Sequence, residues 1–83
     1  MTETWHVVTT LPAPVPIDGR EWTVIVEGLA RPDATWAGRL VFVASAEVLK
    51  TEQETSQPNR EALEYWASGL ERVYLEGALL RAH

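Results

Sequence analysis

The chain has 83 residues, 46% of them hydrophobic, with a net charge of −5, four tryptophans and no cysteine. A chain of this length makes one small domain over residues 1–83, with a core near the lower limit of what folds alone, and the lack of cysteine excludes disulfides and thiolate metal sites. The seven basic residues lie about ten positions apart along the chain against twelve acidic ones, so no basic run points to nucleic acid or to an anionic membrane surface.

Trp5 to Thr10 is aromatic and β-branched and is expected to be a strand over 5–10. Pro12, Pro14 and Pro16 follow at every second position; they remove backbone donors and fix φ, so 12–16 reads as an extended connector or an edge. Asp18-Gly19 signals a turn. Residues 21–29 form the strongest strand: Trp22, Val24 and Val26 share one face, and Ile25 and Leu29, with Thr23 and Glu27 between, share the other. After the turn-rich Arg31-Pro32-Asp33-Ala34, a strand over 36–45 carries Leu40 and Phe42 on one face and Val41 and Val43 on the other. Apolar residues on both faces predict a strand covered on both sides.

Ser45-Ala46-Glu47 reads as a hairpin connection into a polar edge strand over 47–54. From 58 to 82 the pattern is helical, with Thr55 or Ser56 as cap, Pro58 in the first turn and Glu61 at the positive end of the helix dipole. A continuous helix places Leu63, Trp66, Ala67, Leu70, Val73, Tyr74, Gly77 and Leu80 on one face. Tyr65, Leu75 and Leu79 then form a second stripe, unless the helix breaks at Gly69 into 58–68 and 71–82 and its second part rotates. Strands first and helices last predict an α+β fold: a three- to four-stranded, mainly antiparallel sheet with a C-terminal helix or helix pair packed on one face.

No phosphate-binding loop, nucleophile elbow or metal-ligand spacing occurs in the sequence, so no catalytic, cofactor-binding or metal residue is assigned. Glu52 and Glu54, two apart on an edge strand, share a face and are the nearest thing to an acid–base pair; a solvated edge running into a helix cap explains them more simply. His6 lies in a strand with no ligand partner at a fixed spacing, and Asp33 stands in a turn. Trp36, Tyr65, Leu75 and Leu79 are the interface candidates, because two apolar sheet faces need two covers and one helical segment supplies one.

The expected function is therefore non-enzymatic: a self-associating protein-interaction module, most simply a homodimer. One alternative is an acidic regulatory protein binding a basic partner. Another is a small-ligand binder or enzyme using Glu52 and Glu54, with His6 or Asp33. The N-terminal residues lack a basic-then-apolar pattern and no run approaches the ~18 apolar residues of a membrane span, so a cytoplasmic location is expected. Six Arg to one Lys, with ten Ala, fits a GC-rich bacterial genome.

Overall fold

Two long strands organise the molecule. The computed structural model describes residues 3–83, and in it β3 (Arg20–Ala30) and β4 (Trp36–Ala44) pair antiparallel from Thr23↔Val43 to Ala30↔Trp36. Each outer flank of this hairpin is a strand broken in two. On the β3 side lie β1 (His6–Thr10) and β2 (Val15–Ile17); on the β4 side lie β5 (Glu47–Lys50) and β6 (Thr55–Gln57). All pairings are antiparallel, and the sheet has six strands, wider than the three or four expected. The extra count comes from the breaks: Pro12 and Pro14 divide one flank, and the other ends at Lys50 rather than 54 and resumes at Thr55.

Turn chemistry follows the residues. Asp18 and Gly19 take φ of 52° and 77°, the doubly left-handed turn that suits a two-residue hairpin, and Ser45 takes the same region at φ 50° in the β4–β5 turn. Asp33 accepts hydrogen bonds from the Thr35 backbone N–H (3.0 Å) and hydroxyl (2.6 Å), closing the β3–β4 loop. These bonds hold its carboxyl below the usual range.

Helix α1 (Arg60–Ser68) is capped by Asn59, whose side chain accepts the Ala62 N–H at 2.8 Å. Thr55 and Ser56 do not cap it, because both belong to β6. Leu63 and Ala67 of α1 are buried and Trp66 is half-buried, as the helical pattern predicts. Helix α2 (Arg72–Arg81) is rotated relative to a continuous helix, because Gly69, Leu70 and Glu71 interrupt the helical phase. It buries Leu75 and Ala78 and exposes Val73 (79%) and Leu80 (86%), the reverse of what an unbroken helix gives.

Both helices pack on one sheet face. The core comprises Trp22, Val24, Val26, Leu40, Phe42 and Ala44 from the long strands, with Ile17 and with Leu63, Ala67, Leu75 and Ala78 from the helices. Trp22 meets Phe42 edge-on at 6.3 Å. Gly28 and Gly38 are direct cross-strand partners, and their missing side chains make the socket for Leu63: a Cβ at Gly38 would lie 2.6 Å from the Leu63 Cδ1, and one at Gly28 would lie 2.8 Å from its Cδ2.

Candidate functional site: the open face of the sheet

Among the described residues, no helix lies over the opposite face of the sheet. Cross-strand partners point to the same side, so the ladder fixes what this face presents. Thr23, Val43 and Val48 form one row; Thr10, Ile25, Val41 and Lys50 the next; Val7, Glu27 and Arg39 a third. None of these residues belongs to the buried core cluster. Val41 is nevertheless buried, while Ile25 and Val43 are half-exposed and Val7 and Val48 are 56% and 52% exposed. The two apolar faces expected of β3 and β4 are therefore unequal, with one packed under helices and the other without a second layer.

The face divides along its length. Towards the β4–β5 turn it is apolar, with Ile25, Val41, Val43 and Val48. Towards the β3–β4 loop it becomes polar and aromatic. There Arg39 directs Nε (2.8 Å) and Nη2 (2.7 Å) to Oε1 of Glu27, and its guanidinium lies 4.3 Å from the centre of the Trp5 ring. This pair is mostly shielded from water, so it is held more firmly than a surface ion pair. Beside it a cleft of about 480 Å³ is lined by Trp5, Arg31, Arg39, Lys50, Gln53 and His83. Arg31 donates to the Gln53 amide oxygen at 2.5 Å. Lys50 exchanges two backbone hydrogen bonds of 3.0 Å with His83, which pins the last residue along β5. Basic residues that never cluster in sequence thus converge in space, and only the cross-strand register reveals it.

The residues singled out from sequence are dispersed. Glu52 and Glu54 lie in the loop between β5 and β6 and part company there. Glu52 is exposed and stands 3.8 Å from the His83 imidazole. The Glu54 carboxylate is turned inward, accepting from the Tyr74 hydroxyl (2.6 Å) and from Nη2 of Arg81 (2.5 Å). Burial alone would raise its pKa, but the bonds from Arg81 and Tyr74 outweigh it and hold the carboxyl below its ordinary value. Burial and the same carboxylate push the Tyr74 phenol up to about 12. This cluster clamps α2 to the β5–β6 loop; it does not separate two carboxylates into an acid and a base. His6 is exposed on β1, and Asp33 is engaged by Thr35.

The interface candidates do not form one surface either. Leu75 is 2% exposed and belongs to the core, and Leu79 is half-buried against it, both because of the α2 rotation. Trp36 is half-buried beside Gly28. Tyr65 alone stands well clear on α1. Val7, Val43 and Val48 were not among the interface candidates, although the alternation of Val43 with Phe42 and of Val48 with Leu49 carried the signal.

Among the described residues no group of three or more His, Asp or Glu is placed to hold a metal, and no helix is long and apolar enough to cross a membrane. No family model matches the chain, and neither does any curated protein or solved structure.

Proposed function

We propose that this chain is a self-associating protein-interaction module in which two copies pair through the apolar half of the open sheet face. One observation carries the reading: both helices cover the same side of the sheet, leaving Ile25, Val43 and Val48 without a second layer. A half-covered sheet of this kind is stabilised by any apolar surface laid against it. A second copy fits best on charge. Glu27 and Arg39 neutralise each other on this face, so the net charge of −5 is not concentrated where the copies would meet. A basic partner has no such focus to recognise, since the acidic residues are spread over loops, strands and helices alike.

The apolar half of the face is four strands wide and about three residues long, or roughly 19 by 10 Å at ordinary strand spacings. That is well below the ~800 Å² per partner of a standard stable interface, so the dimer is a weak, transient one. Sedimentation equilibrium over a concentration series tests this. The expected result is a monomer–dimer equilibrium, shifted to monomer by Val48→Lys or Val43→Lys, with Val48→Lys melting as the parent does when dilute. A single species of monomer mass at about 100 µM overturns the proposal.

A further inference from the structure

The polar half of the same face holds something that pairing of copies leaves unused. Of the seven basic side chains, five are matched to a carboxylate within 4.0 Å: Arg20 to Glu47, Arg39 to Glu27, Arg60 to Glu64, Arg72 to Glu76 and Arg81 to Glu54. Among the described residues, Arg31 and Lys50 are the two without such a match, and both line the one cleft beside Trp5. They come from different elements, the loop after β3 and the end of β5. In a chain with an acidic excess, two cations with no carboxylate within 4.0 Å meet at one concavity, although Arg31 also acts on the Asp33 carboxylate and Glu3 and Glu52 border the cleft.

The surroundings are built to keep them there. The backbone of Lys50 is fixed by its two hydrogen bonds with His83 and by its place in the β5 ladder opposite Val41. Arg31 is oriented by the Gln53 amide oxygen, which accepts from its Nη2 and cannot neutralise it. Arg39 forms the cleft wall: Glu27 engages its Nε and Nη2, Trp5 covers its plane, and its Nη1 has no partner among the described residues. The cleft, at about 480 Å³, falls within the range of small-molecule sites, which run from about 300 to 1,000 Å³.

We infer that this cleft binds a small ligand carrying a single oxyanion group, a carboxylate or a phosphate, held between Arg31 and Lys50 with Arg39 and Trp5 as its wall. A guanidinium presents paired donors that match either anion, and an ammonium adds a point charge. The number of charges follows from the rim. Glu3 and Glu52 also border the cleft, and their carboxylates oppose a polyanion more strongly than a ligand with one charged group. Glu52 is 85% exposed and stands 3.8 Å from the His83 imidazole, so water screens part of its repulsion of an anion.

The test uses ¹⁵N-labelled full chain, dilute enough to be monomeric, titrated with sodium phosphate or sodium acetate at constant ionic strength set by chloride. The expected result is saturable movement of the Arg31 and Lys50 amides and the Trp5 indole N–H with at least one of the two anions, and none with chloride. Arg31→Gln with Lys50→Gln lowers the apparent affinity by about tenfold or more. Arg60→Gln with Arg72→Gln, which removes the same charge from the helices, leaves it unchanged. Both pairs of residues are surface ones, and an unaltered spectrum away from the substitutions verifies the fold. Saturation by phosphate, by acetate or by both supports the site and names its anion. Linear, unsaturated shifts, or equal responses from the two double variants, overturn it. Repeating the titration in the Val48→Lys background keeps this outcome separate from that of the pairing proposal.

Discussion

Gly38→Ala adds a single methyl at the centre of the helix–sheet contact, and the structure sets what it meets. The new Cβ would lie 2.6 Å from the Leu63 Cδ1 and 2.8 Å from the Thr55 Cγ2. Leu63 is fully buried and Thr55 is held in β6 against this same glycine, so neither group can swing into solvent. Overpacking of this kind costs about 1–3 kcal/mol, and replacing a strand glycine returns about 0.5–1 kcal/mol in backbone entropy. The net loss is therefore about 1–2 kcal/mol, and at about 4–8 °C per kcal/mol for a domain of this size, Tm falls by roughly 10 °C. Leu63→Ala alone costs about 2–5 kcal/mol by emptying the socket. In the Leu63→Ala background only the Thr55 contact remains, so Gly38→Ala costs less than in the parent and the double-mutant cycle shows a coupling of about 1 kcal/mol. Urea melts of the four proteins give the numbers. Equal effects of Gly38→Ala with and without Leu63, or a stabilised single variant, would refute the account of the glycine pair as a socket.

Three further variants probe the polar contacts. The Glu54 carboxyl has its pKa lowered from 4.5 in the folded state, so its contribution is present above that value and is lost as pH falls through the folded pKa. Tyr74 has the opposite sense: its stabilisation is complete below pH 10 and is lost as pH rises towards about 12. The full rise would correspond to about 2.7 kcal/mol, but the ring is more than a third exposed, and screening reduces this to about 1 kcal/mol. Thermal melts across pH should show Glu54→Gln flattening the acid limb and Tyr74→Phe flattening the alkaline limb; unchanged limbs refute the clamp. Thr51→Val addresses the buried hydroxyl, which accepts the Leu40 N–H at 3.0 Å and donates to the Glu52 carbonyl at 2.8 Å. Leaving that N–H unsatisfied costs about 1–3 kcal/mol in urea denaturation, whereas an isoenergetic variant shows that water reaches the site.

Much of this fold was legible because β3 and β4 are long and strongly apolar and because Asp18-Gly19 and Gly69 punctuate the chain. The α+β class, the antiparallel pairing and the helical C-terminal third follow from those features. The orientation of α2 did not follow. A three-residue interruption resets helical phase, and Leu75 and Val73 exchange places on that account alone. Strand β6 was hidden because Thr55-Ser56-Gln57 has no apolar period; its only sequence trace is that Pro58 stops it and Asn59 caps the next helix. The candidate surface was half visible. The alternation marked a second apolar face, but the meeting of Arg31, Arg39 and Lys50 depends on cross-strand register and loop closure, which no short window of sequence contains.

The broken flanks of the sheet bear on how this chain behaves when concentrated. A fibril grows by laying new strands along an exposed edge, and it needs a run of about six residues to do so. Neither border offers one. The outer strands are five, three, four and three residues long; prolines interrupt one border, and His83 occupies part of the other at Lys50. The 11-residue β3 and the nine-residue β4, which would template such growth readily, are both interior. Edge-to-edge association, the kind that would propagate, therefore finds no run long enough to template it on either border among the described residues.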